Sequence, residues 1–297
     1  MKIKMIVCDM DGTLLNSDGE ISKKTRNILL KLQEKGIKVV LASGRGYFRL
    51  IKYAKELKLD EFEGYLIDVN GTSIINVQNK ERERIGVLDE TNIEEINNYF
   101  STFNLELQYS QDDTIYTYLT DEIYEIKRNI RAEMNLPKDY PWMGGMYSWF
   151  SDTRDGYPNQ YLIRNLQEAP KNCNKITLVQ EPIYMNFISE IIQKSKLKEK
   201  YEFVFSDPRK IEITRRGINK GETLNILLEE LGIQQNEVIV FGDSENDISM
   251  FKDKMYSVAM ANSLQGAKHE AKYLTDSHNE EGIYNKLKQF HKDGLFS

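Results

Sequence analysis

The stretch Asp9-Met10-Asp11-Gly12-Thr13-Leu14-Leu15 decides the fold, because it follows the short apolar run of residues 2–8 without a gap. This run predicts a buried strand, and the two acids stand at its carboxyl end. Residues i and i+2 of an extended chain point the same way, so Asp9 and Asp11 are expected to converge. Open α/β sheets bind ligands at that edge. The spacing alone, however, favours solvated acids in a turn with Gly12.

A second acidic cluster changes that interpretation. The sequence Gly242-Asp243-Ser244-Glu245-Asn246-Asp247 directly follows the strand-like residues 237–241, and a helix is predicted at residues 248–251. Carboxylates from two parallel strand ends make an oxygen-rich pocket that suits Mg²⁺. Asp247 is expected to hold a ligand or a lysine in place, without binding the ion itself. A helix cap at Asp243 or Ser244 is compatible with this role.

Two further segments fit the same pocket. Ser43-Gly44-Arg45-Gly46 follows a strand predicted at residues 37–42, where a hydroxyl and backbone N–H groups can bind a phosphate at a helix N-terminus. Lys220 opens a predicted helix and can neutralise a phosphate oxygen and an aspartate. Taken singly, Ser43 is equally a helix cap and Lys220 equally a surface charge. Four such elements at four strand-to-helix junctions together indicate one site.

The alternation of strands and helices divides the chain. It occupies residues 1–82 and returns in residues 207–297, which predicts an α/β domain with a parallel sheet covered on both faces. Residues 83–206 differ, with amphipathic helices flanked by strand-like runs. We therefore predict an α+β domain inserted into a surface loop of the first domain. The aromatic-rich segment 140–161 either packs inside this insert, forms a subunit contact or lines a substrate pocket.

Composition excludes several classes of protein. The chain has 297 residues, a net charge of −6 and two cysteines, Cys8 and Cys173. The length favours two domains. The acidic charge argues against a nucleic-acid partner, and the cysteines are too few for a disulfide framework. No apolar run is long enough to cross a membrane, and the first residues lack the pattern of a signal peptide, so a cytoplasmic location is expected.

The ordered segments resemble the four motifs of the haloacid dehalogenase-like (HAD) hydrolase superfamily, and within it the Cof-type phosphatases. The resemblance covers the core nearly end to end. It rests on residues 9–15, 43–45, 70–71, 220–221, 242–250, 258–262 and 275–282. It implies a Rossmann-like parallel-sheet core with an inserted cap domain of the C2 type. Ser43 stands where many relatives have threonine, and either residue supplies a hydroxyl.

This resemblance also implies the chemistry. Asp9 would be the nucleophile that forms an aspartyl-phosphate, and Asp11 the general acid and base. Mg²⁺ would be bound by Asp9, the backbone carbonyl of Asp11 and Asp243. The residues expected to bind the phosphoryl group or substrate are Ser43, Gly44, Arg45, Lys220 and Asn246. Asp247 would hold a ligand or Lys220 in place.

The predicted function is a Mg²⁺-dependent phosphatase acting on small phosphorylated metabolites, either sugar phosphates or phosphorylated cofactors. The cap is expected to select the leaving group, because every substrate carries the same phosphate. A phosphoryl-transferring mutase is the alternative enzyme. A non-catalytic sensor of metal or anions, or a receiver-like phosphoacceptor, is the alternative from another class. The sequence leaves the oligomeric state open.

Overall fold

A computed structural model describes residues 3–145, 148–252 and 254–296. Two residues of the aromatic segment 140–161, at positions 146 and 147, therefore lie outside the described residues. The chain divides into two compact units. The first comprises Met1–Ile85 with Ile218–Ser297, and the second Gly86–Gly217.

Within the described residues, the first unit contains one eight-stranded sheet, which is parallel except for the last two pairs at one edge. In spatial order its strands are Tyr273–Leu274, Tyr256–Ala259, Val238–Gly242, Met5–Cys8, Lys38–Ala42, Tyr65–Asp68, Ser73–Asn76 and Arg82–Arg84. Its helices are Lys23–Gln33, Tyr47–Glu56, Lys220–Leu231, Glu245–Ile248, Gln265–Glu270 and Gly282–Lys292. The predicted parallel-sheet core is confirmed.

The first strand, Met5–Cys8, forms the centre of this sheet. It pairs in parallel with Lys38–Ala42 on one side and with Val238–Gly242 on the other. All four of its residues are fully buried, and alternate side chains pack into two separate apolar clusters. A strand that is apolar on both faces belongs inside a sheet covered on both sides. The carboxyl ends of these three strands consequently meet at one edge.

The second unit is an α+β domain. Within the described residues its main sheet has six strands, all antiparallel to their neighbours except for one parallel pair at an edge. In spatial order they are Tyr201–Asp207, Lys210–Arg215, Lys175–Val179, Glu106–Gln111, Thr114–Tyr118 and Asn159–Ile163. The remaining elements include a small ladder of Leu88–Asp89 with Asn172–Cys173, and the helices Glu90–Phe100, Asp121–Glu133 and Pro182–Lys194.

The boundary of the second unit differs from the predicted insert, which ended at residue 206. The strands Tyr201–Asp207 and Lys210–Arg215 form a hairpin, and the second of them pairs with Lys175–Val179. Hydrogen bonding therefore assigns the whole hairpin to the sheet of the second unit. The structure places the boundary at Gly217.

The aromatic segment contributes to the packing of the second unit. The ring of Trp142 stacks on Tyr124 with centroids 5.1 Å apart, and the guanidinium of Arg131 lies 4.8 Å from its centre. The backbone carbonyl of Trp142 accepts a hydrogen bond of 2.5 Å from Lys127 Nζ. Phe150, which is buried, lies 6.2 Å from the same ring. These contacts support the packing interpretation for this part of the segment.

A search of the described residues finds no helix with the length and apolar character that crossing a membrane requires.

A glycine in the helix Lys220–Leu231 tests the close packing of the first unit. A Cβ at Gly221 would lie 1.8 Å from the backbone oxygen of Ser249, so Gly221→Ala must displace backbone. We expect a loss of about 2–3 kcal/mol in the free energy of unfolding, measured by denaturant titration. Gly266→Ala is the matched helical control, because its Cβ would meet only Ile248 at 3.5 Å. Equal stability of the two variants would contradict this packing.

Candidate active site

Asp9 follows the central strand and is 5 % exposed. The buried ammonium of Lys220 donates one hydrogen bond to Asp9 Oδ1 at 2.6 Å and another to Asp247 Oδ1 at 2.8 Å. Lys220 begins its helix directly after the N-cap Asn219. The structure therefore brings Asp9, Lys220 and Asp247 together as one buried ionic cluster. A buried cation of this kind is tolerated because two carboxylates compensate its lost hydration.

Asp247 organises the loop that follows the strand Val238–Gly242. Its Oδ2 accepts hydrogen bonds of 3.0 Å from the backbone N–H groups of both Asp243 and Ser244, while its Oδ1 binds Lys220. Both carboxylate oxygens are thus engaged by the protein. These contacts let Asp247 hold Lys220 and the loop, and its supporting role at the site stays a prediction.

Asp243 is half-buried, and one of its carboxylate oxygens lies within 4.8 Å of oxygens of Asp9 and Asp247. Its Oδ1 accepts a hydrogen bond of 3.0 Å from Thr13 Oγ1. The turn after Asp11 passes close to it, because a Cβ at Gly12 would lie 2.5 Å from Asp243 Oδ2. Gly12 also has a φ of 77°, so glycine is required here for both space and conformation.

The shared burial perturbs the titration of this cluster. Burial raises the pKa of Asp9 to about 7, although the charge of Lys220 opposes the change. Burial also raises the pKa of Asp243. For Lys220, burial favours the neutral amine, but the neighbouring carboxylates outweigh it and raise its pKa. The three carboxylates of Asp9, Asp243 and Asp247 face a single lysine, and a cation bound beside them would stabilise their charged forms.

Asp11 is placed differently from Asp9. Its side chain is 63 % exposed and forms a bidentate ion pair with Arg45, with Nε–Oδ2 at 2.8 Å and Nη2–Oδ1 at 2.5 Å. Burial works against the charge of Arg45, but the contact with Asp11 raises the pKa of its guanidinium overall. Arg45 was predicted to bind phosphate or substrate, whereas the structure pairs it with the predicted general acid.

Ser43 and Gly44 form a tight turn after the strand Lys38–Ala42. Ser43 is 2 % exposed, and its Oγ accepts a hydrogen bond of 3.1 Å from the backbone N–H of Arg45. Its carbonyl accepts another of 2.9 Å from the N–H of Asn70. A Cβ at Gly44 would lie 3.2 Å from the amide of Asn70, so the two residues are close neighbours.

Asn246 completes the set predicted from sequence. It is exposed, on the short helix Glu245–Ile248, whose N-cap is Ser244. Its Nδ2 donates a hydrogen bond of 3.0 Å to Asn70 Oδ1, and its Oδ1 accepts one of 2.5 Å from Ser244 Oγ. This helix, Glu245–Ile248, begins and ends three residues before the helix predicted at residues 248–251.

Three residues near these groups received no role from the sequence. Thr13 binds Asp243, and Asn70 binds Asn246. Asn262 donates a hydrogen bond of 2.8 Å to the carbonyl of Gly12 and so supports the turn after Asp11. All three belong to the segments that carry the family resemblance, which was the signal available for finding them.

The acidic cluster can accommodate a divalent cation. Asp9, Asp243 and Asp247 each offer one carboxylate oxygen, and these oxygens lie within 4.8 Å of one another. Since Asp247 is already bonded through both oxygens, Asp9 and Asp243 offer the better ligands. Hard carboxylate and carbonyl oxygens are the donors that Mg²⁺ prefers. The donor set therefore fits the predicted ion.

Comparison with known proteins identifies the family. A sequence model described as haloacid dehalogenase-like hydrolase matches residues 6–287. The chain belongs to this family. Its recognition as a HAD-like hydrolase of the Cof type is confirmed, and it is an enzyme of the hydrolase class.

Several HAD-like relatives match over nearly their whole length. A haloacid dehalogenase-like hydrolase from Bacteroides thetaiotaomicron has a solved structure with a TM-score of 0.74 and 29% identity, covering 97% of this chain and 99% of that one. The 5-amino-6-(5-phospho-D-ribitylamino)uracil phosphatase YcsE of Bacillus subtilis is 28% identical, over 95% of this chain and 93% of its own. Phosphatase YwpJ of the same organism is 26% identical, over 96% of this chain and 99% of its own.

Proposed function

We propose that this HAD-like hydrolase is a Mg²⁺-dependent phosphatase that hydrolyses small phosphorylated metabolites through an aspartyl-phosphate at Asp9. The observation that carries the proposal is the buried Lys220, bonded at 2.6 Å to Asp9 and at 2.8 Å to Asp247, with an oxygen of Asp243 close by. Phosphoryl transfer depends on positioning and charge neutralisation, and this cluster offers both.

The reaction proceeds in two displacements at phosphorus. A carboxylate oxygen of Asp9 forms a bond to phosphorus while the bond to the leaving oxygen breaks, and Asp11 donates a proton to that oxygen. A water molecule then attacks phosphorus, Asp11 takes up its proton, and the bond to Asp9 breaks. Inorganic phosphate and the starting enzyme result.

The exposed position of Asp11 suits this exchange of protons, because its carboxylate reaches solvent while Asp9 does not. Arg45 donates to both oxygens of Asp11, which favours the ionised carboxylate. We propose that Arg45 orients Asp11 for the second displacement, in which Asp11 takes up the proton of water, and that one of the two contacts opens when Asp11 carries the proton for the first displacement. Bidentate pairs of this type fix direction as well as charge.

Mg²⁺ would be held by Asp9, the backbone carbonyl of Asp11 and Asp243. When bound, it neutralises charge on the phosphoryl oxygens. The protein groups proposed to bind those oxygens are Ser43, Gly44, Lys220 and Asn246. Lys220 supplies a full positive charge that water cannot reach, where its electrostatic effect is largest.

The substrates proposed are sugar phosphates or phosphorylated cofactors. Support comes from relatives in Bacillus subtilis that are named phosphatases of 5-amino-6-(5-phospho-D-ribitylamino)uracil, at 28% and 25% identity. That compound joins a phosphorylated sugar-alcohol chain to a pyrimidine, so it has features of both classes.

The proposal is tested by assaying the purified protein with p-nitrophenyl phosphate and Mg²⁺, then with a panel of phosphorylated metabolites that includes the ribitylaminouracil compound. We expect release of inorganic phosphate from p-nitrophenyl phosphate and a marked preference within the panel. A mutase would instead move phosphate between positions of a metabolite without releasing it. Absence of turnover on every substrate would contradict the proposal and favour a binding protein.

A further inference from the structure

The loop Val69–Gly71 has an unusual backbone. Three successive residues have positive φ angles, 43° at Val69, 57° at Asn70 and 102° at Gly71. Asparagine and glycine tolerate this region, but a β-branched valine rarely adopts it. Such conformations persist where the surrounding structure holds them, and they concentrate at functional sites. The contacts of this loop explain what holds it.

One side of the loop fixes the turn at Ser43 and Gly44. The N–H of Val69 donates to the carbonyl of Arg45 at 3.1 Å, and the N–H of Asn70 donates to the carbonyl of Ser43 at 2.9 Å. The carbonyls on either side of Gly44 are thus both bonded to the loop. This orients the turn that is proposed to bind phosphoryl oxygens.

The other side of the loop packs against the start of the helix that carries Lys220. The carbonyl of Gly71 accepts a hydrogen bond of 2.6 Å from Thr223 Oγ1. A Cβ at Gly71 would lie 2.5 Å from the carbonyl oxygen of Asn219, the N-cap of that helix. The loop therefore contacts two of the segments that supply the proposed phosphoryl ligands.

The side chain of Asn70 reaches a third segment. Its Oδ1 accepts the hydrogen bond of 3.0 Å from Asn246 Nδ2, and a Cβ at Gly44 would lie 3.2 Å from the same oxygen. Ser244 fixes the other end of the Asn246 amide. Ser244 and Asn70 thus contact the two ends of the Asn246 amide and favour the orientation that it has here.

We infer that Asn70 is a positioning residue for phosphoryl binding, which acts by holding the amide of Asn246 beside the turn at Gly44. Asparagine meets both demands at this position, because it tolerates a left-handed backbone and supplies an amide acceptor. The inference rests on the proposed function, since it assumes that Asn246 binds a phosphoryl oxygen.

Asn70→Gly removes the amide while preserving the backbone, because glycine adopts a positive φ freely. With p-nitrophenyl phosphate we expect the KM, and the inhibition constant of inorganic phosphate, to rise roughly tenfold, the size of one hydrogen bond. We expect kcat to change by less than about threefold, as when binding is lost equally from ground and transition states. Unchanged KM and inhibition constant would overturn the inference.

Asn135→Gly is the matched control. Asn135 also has a positive φ, 50°, and lies in an exposed turn of the second unit. The same substitution should leave the KM unchanged there. If Asn135→Gly raised the KM as much as Asn70→Gly, the effect would reflect a general loss of rigidity, and the positioning role would be wrong.

A double-mutant cycle tests whether Asn70 acts through Asn246. If it does, Asn70→Gly combined with Asn246→Ala should have a KM within about twofold of Asn246→Ala alone. If the KM of the double variant instead rose by the product of the two single increases, the inference would be contradicted, because Asn70 would then act independently of Asn246. Failure here leaves the proposed function intact as long as Asp9→Asn remains inactive, whereas an active Asp9→Asn enzyme would overturn both.

Discussion

The Asp9→Asn variant is expected to lose roughly four orders of magnitude or more in kcat for phosphate release, as is typical when a nucleophile is removed. An amide oxygen is a poor nucleophile, whereas the carboxylate of Asp9 sits buried beside a cation that positions it. The fold should survive, because asparagine has nearly the same shape and its oxygen can still accept the hydrogen bond from Lys220. Steady-state release of p-nitrophenol gives the rate.

Asp60→Asn is the control for this experiment, since Asp60 is exposed and lies in the same unit. It should keep the wild-type rate. Thermal melts on both variants separate loss of chemistry from loss of structure. A folded Asp9→Asn protein with near wild-type kcat would show that Asp9 is not the nucleophile.

Removal of divalent ions has the second largest expected effect. In excess chelator the activity should fall below roughly one percent of its value with Mg²⁺, because the charge near Asp9 and the substrate phosphate is no longer neutralised. Restored Mg²⁺ should recover the activity. Ca²⁺ should recover it poorly, because it takes more oxygen ligands at longer distances and would displace the nucleophile.

Asp243→Asn tests the ligand assigned to that ion. It should raise the Mg²⁺ concentration needed for half-maximal activity roughly tenfold or more, because one negative ligand is lost. Asp60→Asn again serves as the control and should leave that concentration unchanged. Full activity in excess chelator, or an unaltered Mg²⁺ requirement in Asp243→Asn, would contradict the metal site.

The site could be predicted from sequence because parallel strands end at one edge of a sheet. Residues far apart in the chain, Asp9, Lys220 and Asp247, therefore meet within hydrogen-bond distance. Asp9 and the loop leading to Asp247 each follow a strand of this sheet, and the parallel pairing of Met5–Cys8 with Val238–Gly242 brings the two acids together. The signal for Lys220 was the start of a helix, because the strand before it, Lys210–Arg215, belongs to the sheet of the second unit.

The hairpin of Tyr201–Asp207 and Lys210–Arg215 could not be assigned in the same way. Ile211 and Ile213 alternate with polar residues, which is a strand pattern. The pattern does not say which sheet a strand joins, and that choice depends on pairing with Lys175–Val179. The boundary of the insert was therefore placed too early.

Side-chain partners were also beyond the sequence. The resemblance implies phosphate or substrate binding for Arg45, and it does not reveal the contact of Arg45 with Asp11, 34 positions away. The role proposed for Asn70 depends on positive φ angles that the sequence does not predict, because Val69, a β-branched residue, shares this conformation. The sequence offers Ser244 as a cap for the short helix near Asn246, and the structure uses it, so the helix spans Glu245–Ile248 instead of the residues 248–251 that the apolar spacing favours.

Asp9 is proposed to carry the phosphoryl group during turnover. The most direct measurement is borohydride trapping during turnover, which reduces an aspartyl-phosphate to homoserine and allows the modified residue to be located by peptide mass spectrometry. The Asp11→Asn variant is suited to it, because loss of the base should slow hydrolysis of the intermediate and let it accumulate. We predict homoserine at position 9 when substrate and Mg²⁺ are both present, and none when either is omitted. Trapping at another residue, or an unmodified Asp9 in enzyme that is turning over, would contradict the account.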